Sequence, residues 1–104
     1  MKEAELQKAV IELARRLGWR VAHFRTSQSQ TGRWLTAVQG DGAGYPDLTM
    51  LRRDRIVAAE LKAKGNKTSP AQDEWLQAFR DAGATVAVWY PKDWESGAIE
   101  ACLR

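Results

Sequence analysis

Two acidic residues and a lysine are the side chains whose types and spacing best suit chemistry. Asp47 precedes one short apolar run, while Glu60 and Lys62 stand at the end of the next. The polar segment 52–55 between the runs is short enough for a hairpin turn. A turn centred there places Asp47 opposite Glu60, with Cβ atoms about 4.5–5.5 Å apart. Lys62 shares their face because side chains alternate along a strand.

A metal site is one interpretation of this cluster. Two nearby carboxylates repel each other unless a cation lies between them, and hard oxygen ligands suit Mg²⁺ or Mn²⁺. A neighbouring lysine can hold a phosphate oxygen or orient a water molecule. The alternative is an ordinary hairpin decorated by surface charge pairs. Ala58, Ala59 and Leu61 flank Glu60, however, and a charge inside an apolar strand needs a reason.

The motif Gly44-Tyr45-Pro46-Asp47 followed by Glu60-Leu61-Lys62 resembles the PD-(D/E)XK nuclease superfamily. More narrowly, the chain resembles the virus-type replication-repair nuclease (VRR-NUC) domain. The likeness includes a first helix, the Gly-x-Pro-Asp hairpin, a Ser-Pro-Ala-Gln helix start and a last Val-Trp-Tyr-Pro strand. It implies one domain over residues 1–104, of the α/β class. The expected restriction-endonuclease-like core has the order α-β-β-β-α-β, with a small mixed sheet flanked by helices.

The same resemblance implies a deoxyribonuclease that depends on Mg²⁺ or Mn²⁺ and hydrolyses phosphodiester bonds. Asp47, Glu60 and the backbone carbonyl of Leu61 are the expected metal ligands, with Glu3 completing the set. Lys62 is expected to position the attacking water or to balance transition-state charge. Gln72 is the fourth expected catalytic residue, since a glutamine at this point approaches the lysine or the phosphate in the family.

The expected role of Glu3 depends on the first helix, predicted over residues 3–17. Apolar residues recur there at helical spacing and form one stripe: Leu6, Val10, Leu13 and Leu17. Glu3 falls near the edge of that stripe, where its carboxylate could reach the hairpin. The alternative is favourable placement of an acid in the first helical turn.

Further polar residues are candidates for substrate contact. They are His23 and Arg25 in a strand predicted over 19–25, Ser27 and Arg33 in the following segment, and Lys64 and Lys67 after the hairpin. A lone strand histidine is more often structural, and solvated turns are commonly rich in lysine. Residues 26–43 are expected to be largely irregular, and such long segments are usually functional or disordered. The alternative there is a flexible loop with a short strand at 34–38 that buries Trp34.

The second half of the chain has clear element boundaries. Ser69 is a good helix N-cap, Pro70 suits the first helical position, and Gln72 stands where a capping box needs Glu or Gln. A helix over 70–82 is therefore predicted to bury Trp75, Leu76 and Phe79. A core strand follows at 85–90, and residues 92–103 are expected to return as short helices over one sheet edge.

Composition sets limits on function. The 104 residues are 44% hydrophobic and 28% charged, with a net charge of +3, which permits a polyanionic partner without requiring one. One cysteine suits a reducing compartment such as the cytoplasm. The family resemblance implies that of a bacterial or phage-infected cell. No signal peptide, membrane contact or nucleotide cofactor is expected. The expected partner is DNA, with branched DNA as a candidate, and small stand-alone relatives imply a homodimer.

Two other functions fit a basic chain of this size. It could bind branched or single-stranded DNA without cutting it, or act only in assembly with its hairpin charges on the surface. Clustered acids argue against a pure binder, since a protein that only grips phosphates has no need of them.

Overall fold

The computed structural model describes residues 1–24, 26–28, 34–36 and 40–104. In this part of the chain ten elements follow one another. They are α1 (Glu3–Arg16), β1 (Arg20–His23), β2 (Thr26–Gln28), β3 (Trp34–Thr36), β4 (Leu48–Arg52), β5 (Arg55–Leu61), α2 (Pro70–Asp81), β6 (Thr85–Trp89), α3 (Pro91–Glu95) and α4 (Ala98–Leu103).

The main sheet has the strand order β1-β4-β5-β6. β4 is antiparallel to both β1 and β5, whereas β5 and β6 run parallel and are connected by α2. This is the predicted mixed sheet with the order α-β-β-β-α-β. Leu48 pairs with Ala59 in the hairpin, the register that the sequence predicted.

Alternation along the strands separates the two faces of this sheet. Leu48 and Met50 of β4 and Val57, Ala59 and Leu61 of β5 are buried on one face. They pack against α1 and the C-terminal helices in a single core. The other face of β5 carries Ala58 and Glu60 and is covered by α2.

The first helix buries a slightly different stripe from the predicted one. Leu6, Val10 and Ala14 are fully buried, while Leu13 and Leu17 are only partly so. The spacing of three and four is retained, but the small Ala14 allows α1 to approach the sheet closely. The helix ends at Arg16, one residue before its predicted end, and Gly18 follows at φ +90°.

The segment between β1 and β4 differs from its predicted irregularity. Its described residues include a second, two-stranded sheet, in which β2 pairs with β3 antiparallel and Thr26 faces Thr36. Thr and Trp favour strands, and β3 occupies the first part of the predicted strand 34–38. β1 itself ends at His23, two residues earlier than expected.

The C-terminal helices contribute to the core as well as covering an edge. α3 packs on the edge strand β6, while α4 places Ile99 and Leu103 in the core beside α1. Trp19 Nε1 donates a hydrogen bond of 2.8 Å to the Leu103 carbonyl, which fixes α4 against the start of β1. Among the described helices, none is long and apolar enough to span a membrane.

Candidate active site

Glu60 is the centre of the candidate site. Its side chain is only 2% exposed, and it is the one buried ionisable residue among those that the structure describes. Oε1 accepts a hydrogen bond of 3.2 Å from Gln72 Nε2, whereas Oε2 has no donor within reach in the described part of the chain. A buried carboxylate oxygen without a donor is costly. This atom therefore needs either a proton or a cation.

Asp47 lies opposite Glu60, as the register predicts, and is held by the backbone. Its Oδ2 accepts a hydrogen bond of 2.8 Å from the Leu61 amide. The N–H and C=O of a strand residue point toward the same neighbour, so the Leu61 carbonyl is directed to the Asp47 side of β5. That orientation is compatible with its expected role as a ligand.

The electrostatics of the pair indicate a missing positive charge. Burial, followed by the contact with the Asp47 carboxyl and its charge, raises the pKa of Glu60 to about 9. Lys62 opposes this effect and Glu3 adds slightly to it. Without a cation, Glu60 therefore keeps its proton at neutral pH.

The donor set fits a hard divalent cation. Mg²⁺ is commonly held by one or two carboxylates together with water and substrate phosphates, and Asp47 and Glu60 supply two such oxygens. Among the described residues, no group of three Asp, Glu, His or Cys side chains is close enough to hold one ion. Glu3 is exposed at the start of α1 and influences Glu60 only through its charge. Its ligand role stays a prediction.

Gln72 connects the site to the start of α2. Its Oε1 accepts from the Ser69 amide at 2.9 Å, and its Nε2 donates to Glu60. Because the capping contact fixes the amide oxygen, the nitrogen must face the carboxylate. The capping and site roles predicted for Gln72 thus occur together.

We expect Gln72→Glu to separate these two roles. A glutamate retains the capping contact but removes the donor to Glu60 and adds a third carboxylate. The free energy of unfolding in EDTA at pH 8 should fall by about 1–3 kcal/mol, as measured by urea denaturation. Ser69→Ala is the control for capping alone and should cost about 1 kcal/mol. Unchanged stability in Gln72→Glu would show that the Gln72–Glu60 contact is unimportant.

Gly44 places the hairpin entrance directly against α2. A Cβ at this position would lie 2.5 Å from the Ala71 backbone carbon, and the residue has φ +83°. The sequence alone does not indicate this close approach. Pro46 is buried beside it, so the Gly-x-Pro-Asp motif fixes the path of the chain into Asp47.

Gly44→Ala should therefore destabilise the protein by roughly 3 kcal/mol or more, since backbone strain adds to a clash with fixed backbone. Gly83→Ala is a matched control, with φ +94° and nothing within 4 Å of the added methyl. It should cost only the strain, about 1–2 kcal/mol. Equal losses in thermal denaturation would contradict the packing explanation.

An aromatic cluster on α2 supports the same entrance, and the sequence did not reveal it. Tyr45 contacts Trp75 edge-on at 4.9 Å between ring centroids, and its hydroxyl is 2.9 Å from the Thr49 hydroxyl. Trp75 Nε1 donates to the Asp41 carbonyl at 2.7 Å. Trp75 was predicted as a core residue, but it is half-buried and anchors the segment before Gly44. A tyrosine within the Gly-x-Pro-Asp motif was the available signal.

The predicted substrate contacts are distributed unevenly. His23 Nδ1 donates a hydrogen bond of 2.8 Å to the Asp47 carbonyl, which is a structural contact. Nε2 takes no part in this bond. Lys62 follows β5 directly, half-buried, while Lys64 and Lys67 are exposed in the next turn. Arg25 and Arg33 lie outside the described residues, as does the side chain of Ser27. The substrate roles of all these residues stay predictions.

Comparisons with known proteins identify the family of this chain. The family model of the VRR-NUC domain matches residues 23–93, which include both carboxylates, Lys62 and Gln72. A solved structure described as a VRR_NUC domain is 30% identical, with a TM-score of 0.61 over 94% of this chain and 95% of that one. No curated protein matches the chain. By its sequence and its fold, the chain belongs to the VRR-NUC family of nuclease domains.

Proposed function

We propose that this protein is an Mg²⁺- or Mn²⁺-dependent deoxyribonuclease that hydrolyses phosphodiester bonds at Asp47, Glu60 and Lys62. The observation that carries the proposal is the carboxylate of Asp47 opposite the buried carboxylate of Glu60, one oxygen of which has no hydrogen-bond partner in the described part of the chain. In a purely structural ion pair, both oxygens of the Glu60 carboxylate would have a partner. Membership of a nuclease family supports the same reaction.

Each side chain then has a distinct part in the reaction. Asp47, fixed by the Leu61 amide, and Glu60, fixed by Gln72, would hold the cation together with the Leu61 carbonyl. The bound ion would polarise the scissile phosphate and acidify a water molecule. Lys62 is close enough to Glu60 to lower its pKa, yet in the described part of the chain it forms no ion pair. Its ammonium is therefore available to orient water or balance charge on the phosphate.

The finer parts of the proposal follow from the family likeness. We propose selectivity for branched DNA, such as a four-way junction or a flap, and a role in phage or bacterial replication or repair. A homodimer would supply two sites for cutting two strands. Light scattering of the purified protein tests this state directly, and a mass near 11.7 kDa would exclude the dimer.

The test of the activity is a cleavage assay on labelled four-way junction, flap, single-stranded and linear duplex DNA. Each substrate is incubated with Mg²⁺, with Mn²⁺ and with EDTA. Cleavage that requires a divalent ion and favours a branched substrate is the expected result. Retarded migration without cleavage under both ions would instead indicate a DNA-binding module.

A further inference from the structure

A basic cleft lies beside the candidate site. It has a volume of about 660 Å³ and is lined by the turn after β5, by the chain that leaves β6 and by Met1. Its walls contain Lys64, Lys67 and Lys92, together with the single carboxylate Glu95. In the described part of the chain, none of the three lysines forms an ion pair. Three cations facing one acid make the cleft a site for anions.

The floor of the cleft is fixed by hydrogen bonds. Tyr90 donates its hydroxyl hydrogen bond to the Asn66 carbonyl at 2.8 Å, which ties the lysine-containing turn to the end of β6. The Lys62 amide donates to the Trp89 carbonyl at 3.0 Å and extends the parallel pairing to the site. Lys92 Nζ lies 5.7 Å from the centre of the Tyr90 ring, a cation–π contact that restrains it.

The chain connectivity limits how far the cleft can lie from the scissile phosphate. Lys64 follows Glu60 by four residues, so their Cα atoms are at most about 14 Å apart. A DNA strand advances about 3.4 Å per nucleotide along a duplex. The cleft therefore lies within roughly four nucleotides of a phosphate bound at the carboxylate pair.

We infer that this cleft binds phosphate groups of the substrate strand next to the scissile bond, with Lys64, Lys67 and Lys92 as its cationic contacts. The inference rests on the proposed nuclease function for its choice of DNA as the ligand. The sequence alone did not indicate a role for Lys92, because it lies 30 residues after Lys62. Only the parallel pairing of β5 with β6 brings the two strand ends together.

The test compares Lys67→Gln/Lys92→Gln with wild-type protein in DNA binding by fluorescence anisotropy over a range of salt concentrations. On single-stranded DNA, the negative slope of log K against log salt should become shallower by about 1.4 in the double variant. This is about 0.7 for each phosphate that is no longer neutralised. Lys8→Gln removes an exposed lysine of α1 outside the cleft and is the matched control. Glu95→Gln removes the opposing carboxylate and should tighten binding.

The outcomes separate this inference from the proposed activity. If wild-type protein cleaves DNA but the double variant has the slope of Lys8→Gln, and Glu95→Gln binds as wild type does, the cleft assignment is wrong. A lysine-dependent slope without cleavage would support the cleft and reject the nuclease. Closed circular single strands distinguish the source of the phosphate. If the double variant also changes the salt slope on circular strands, the cleft binds internal phosphates. If it changes the slope only on linear strands, the cleft binds a terminal phosphate.

Discussion

Asp47→Asn is expected to reduce the rate of DNA cleavage by at least about 10²-fold while the protein remains folded. The asparagine oxygen can still accept the hydrogen bond from the Leu61 amide that Asp47 accepts at 2.8 Å. The negative charge, however, is lost from the pair that would hold the cation. Single-turnover cleavage under excess enzyme measures this effect without interference from product release.

Lys62→Met provides a second test of the same chemistry, because it keeps the aliphatic stem and removes the ammonium. It should decrease the cleavage rate by a similar factor. Lys8→Gln, which changes the same charge on the exposed surface of α1, is the control and should cleave at the wild-type rate. Full activity in either site variant, with the fold confirmed by circular dichroism, would contradict the assignment of the site.

Glu60→Gln is expected to have opposite effects on activity and on stability. Cleavage should be lost, because the amide cannot replace the buried carboxylate as an anionic ligand. The metal-free protein should instead become more stable at alkaline pH. The amide is neutral, and it can donate to Asp47 without needing a proton from solvent.

The direction of the pH dependence follows from the pKa of Glu60. It rises from 4.5 to about 9 on folding, so between these values the folded state keeps a proton that the unfolded state has lost. This contribution is complete below pH 4.5 and is lost as the pH rises through about 9. In EDTA the free energy of unfolding should therefore fall by up to about 1.4 kcal/mol per pH unit in that window.

Urea denaturation in EDTA at pH 6 and pH 8 measures this slope. We expect wild-type protein to lose up to about 2.7 kcal/mol between the two values, and Glu60→Gln to lack this component. Glu12→Gln removes an exposed acid from α1 and should retain the wild-type slope. A wild-type slope in Glu60→Gln would show that Glu60 is not the titrating group.

The hairpin and its register were predictable because the information is local. Alternating apolar residues, a four-residue polar break and one buried-strand acid are sufficient to place Asp47 opposite Glu60. The same holds for Gln72, whose capping role can be deduced from Ser69-Pro70. The observed fold confirms both the mixed sheet and the helix order.

Other parts of the site depend on contacts between distant segments, which one sequence does not encode visibly. The approach of Gly44 to Ala71 and the Trp75–Asp41 hydrogen bond arise only when α2 docks on the sheet. Lys92 reaches the basic cleft through strand pairing rather than spacing. His23 was assigned to substrate from its type and location, but its observed Nδ1 contact is with the Asp47 carbonyl.

The claim that Asp47 and Glu60 form the metal site is tested most directly by calorimetric titration of Mn²⁺ into the protein. Repeating the titration at pH 7 in buffers of different ionisation enthalpy counts the protons released. We predict one bound ion, release of about one proton as Glu60 ionises, and loss of binding in Asp47→Asn. Equal binding in that variant, or binding without proton release, would contradict the account.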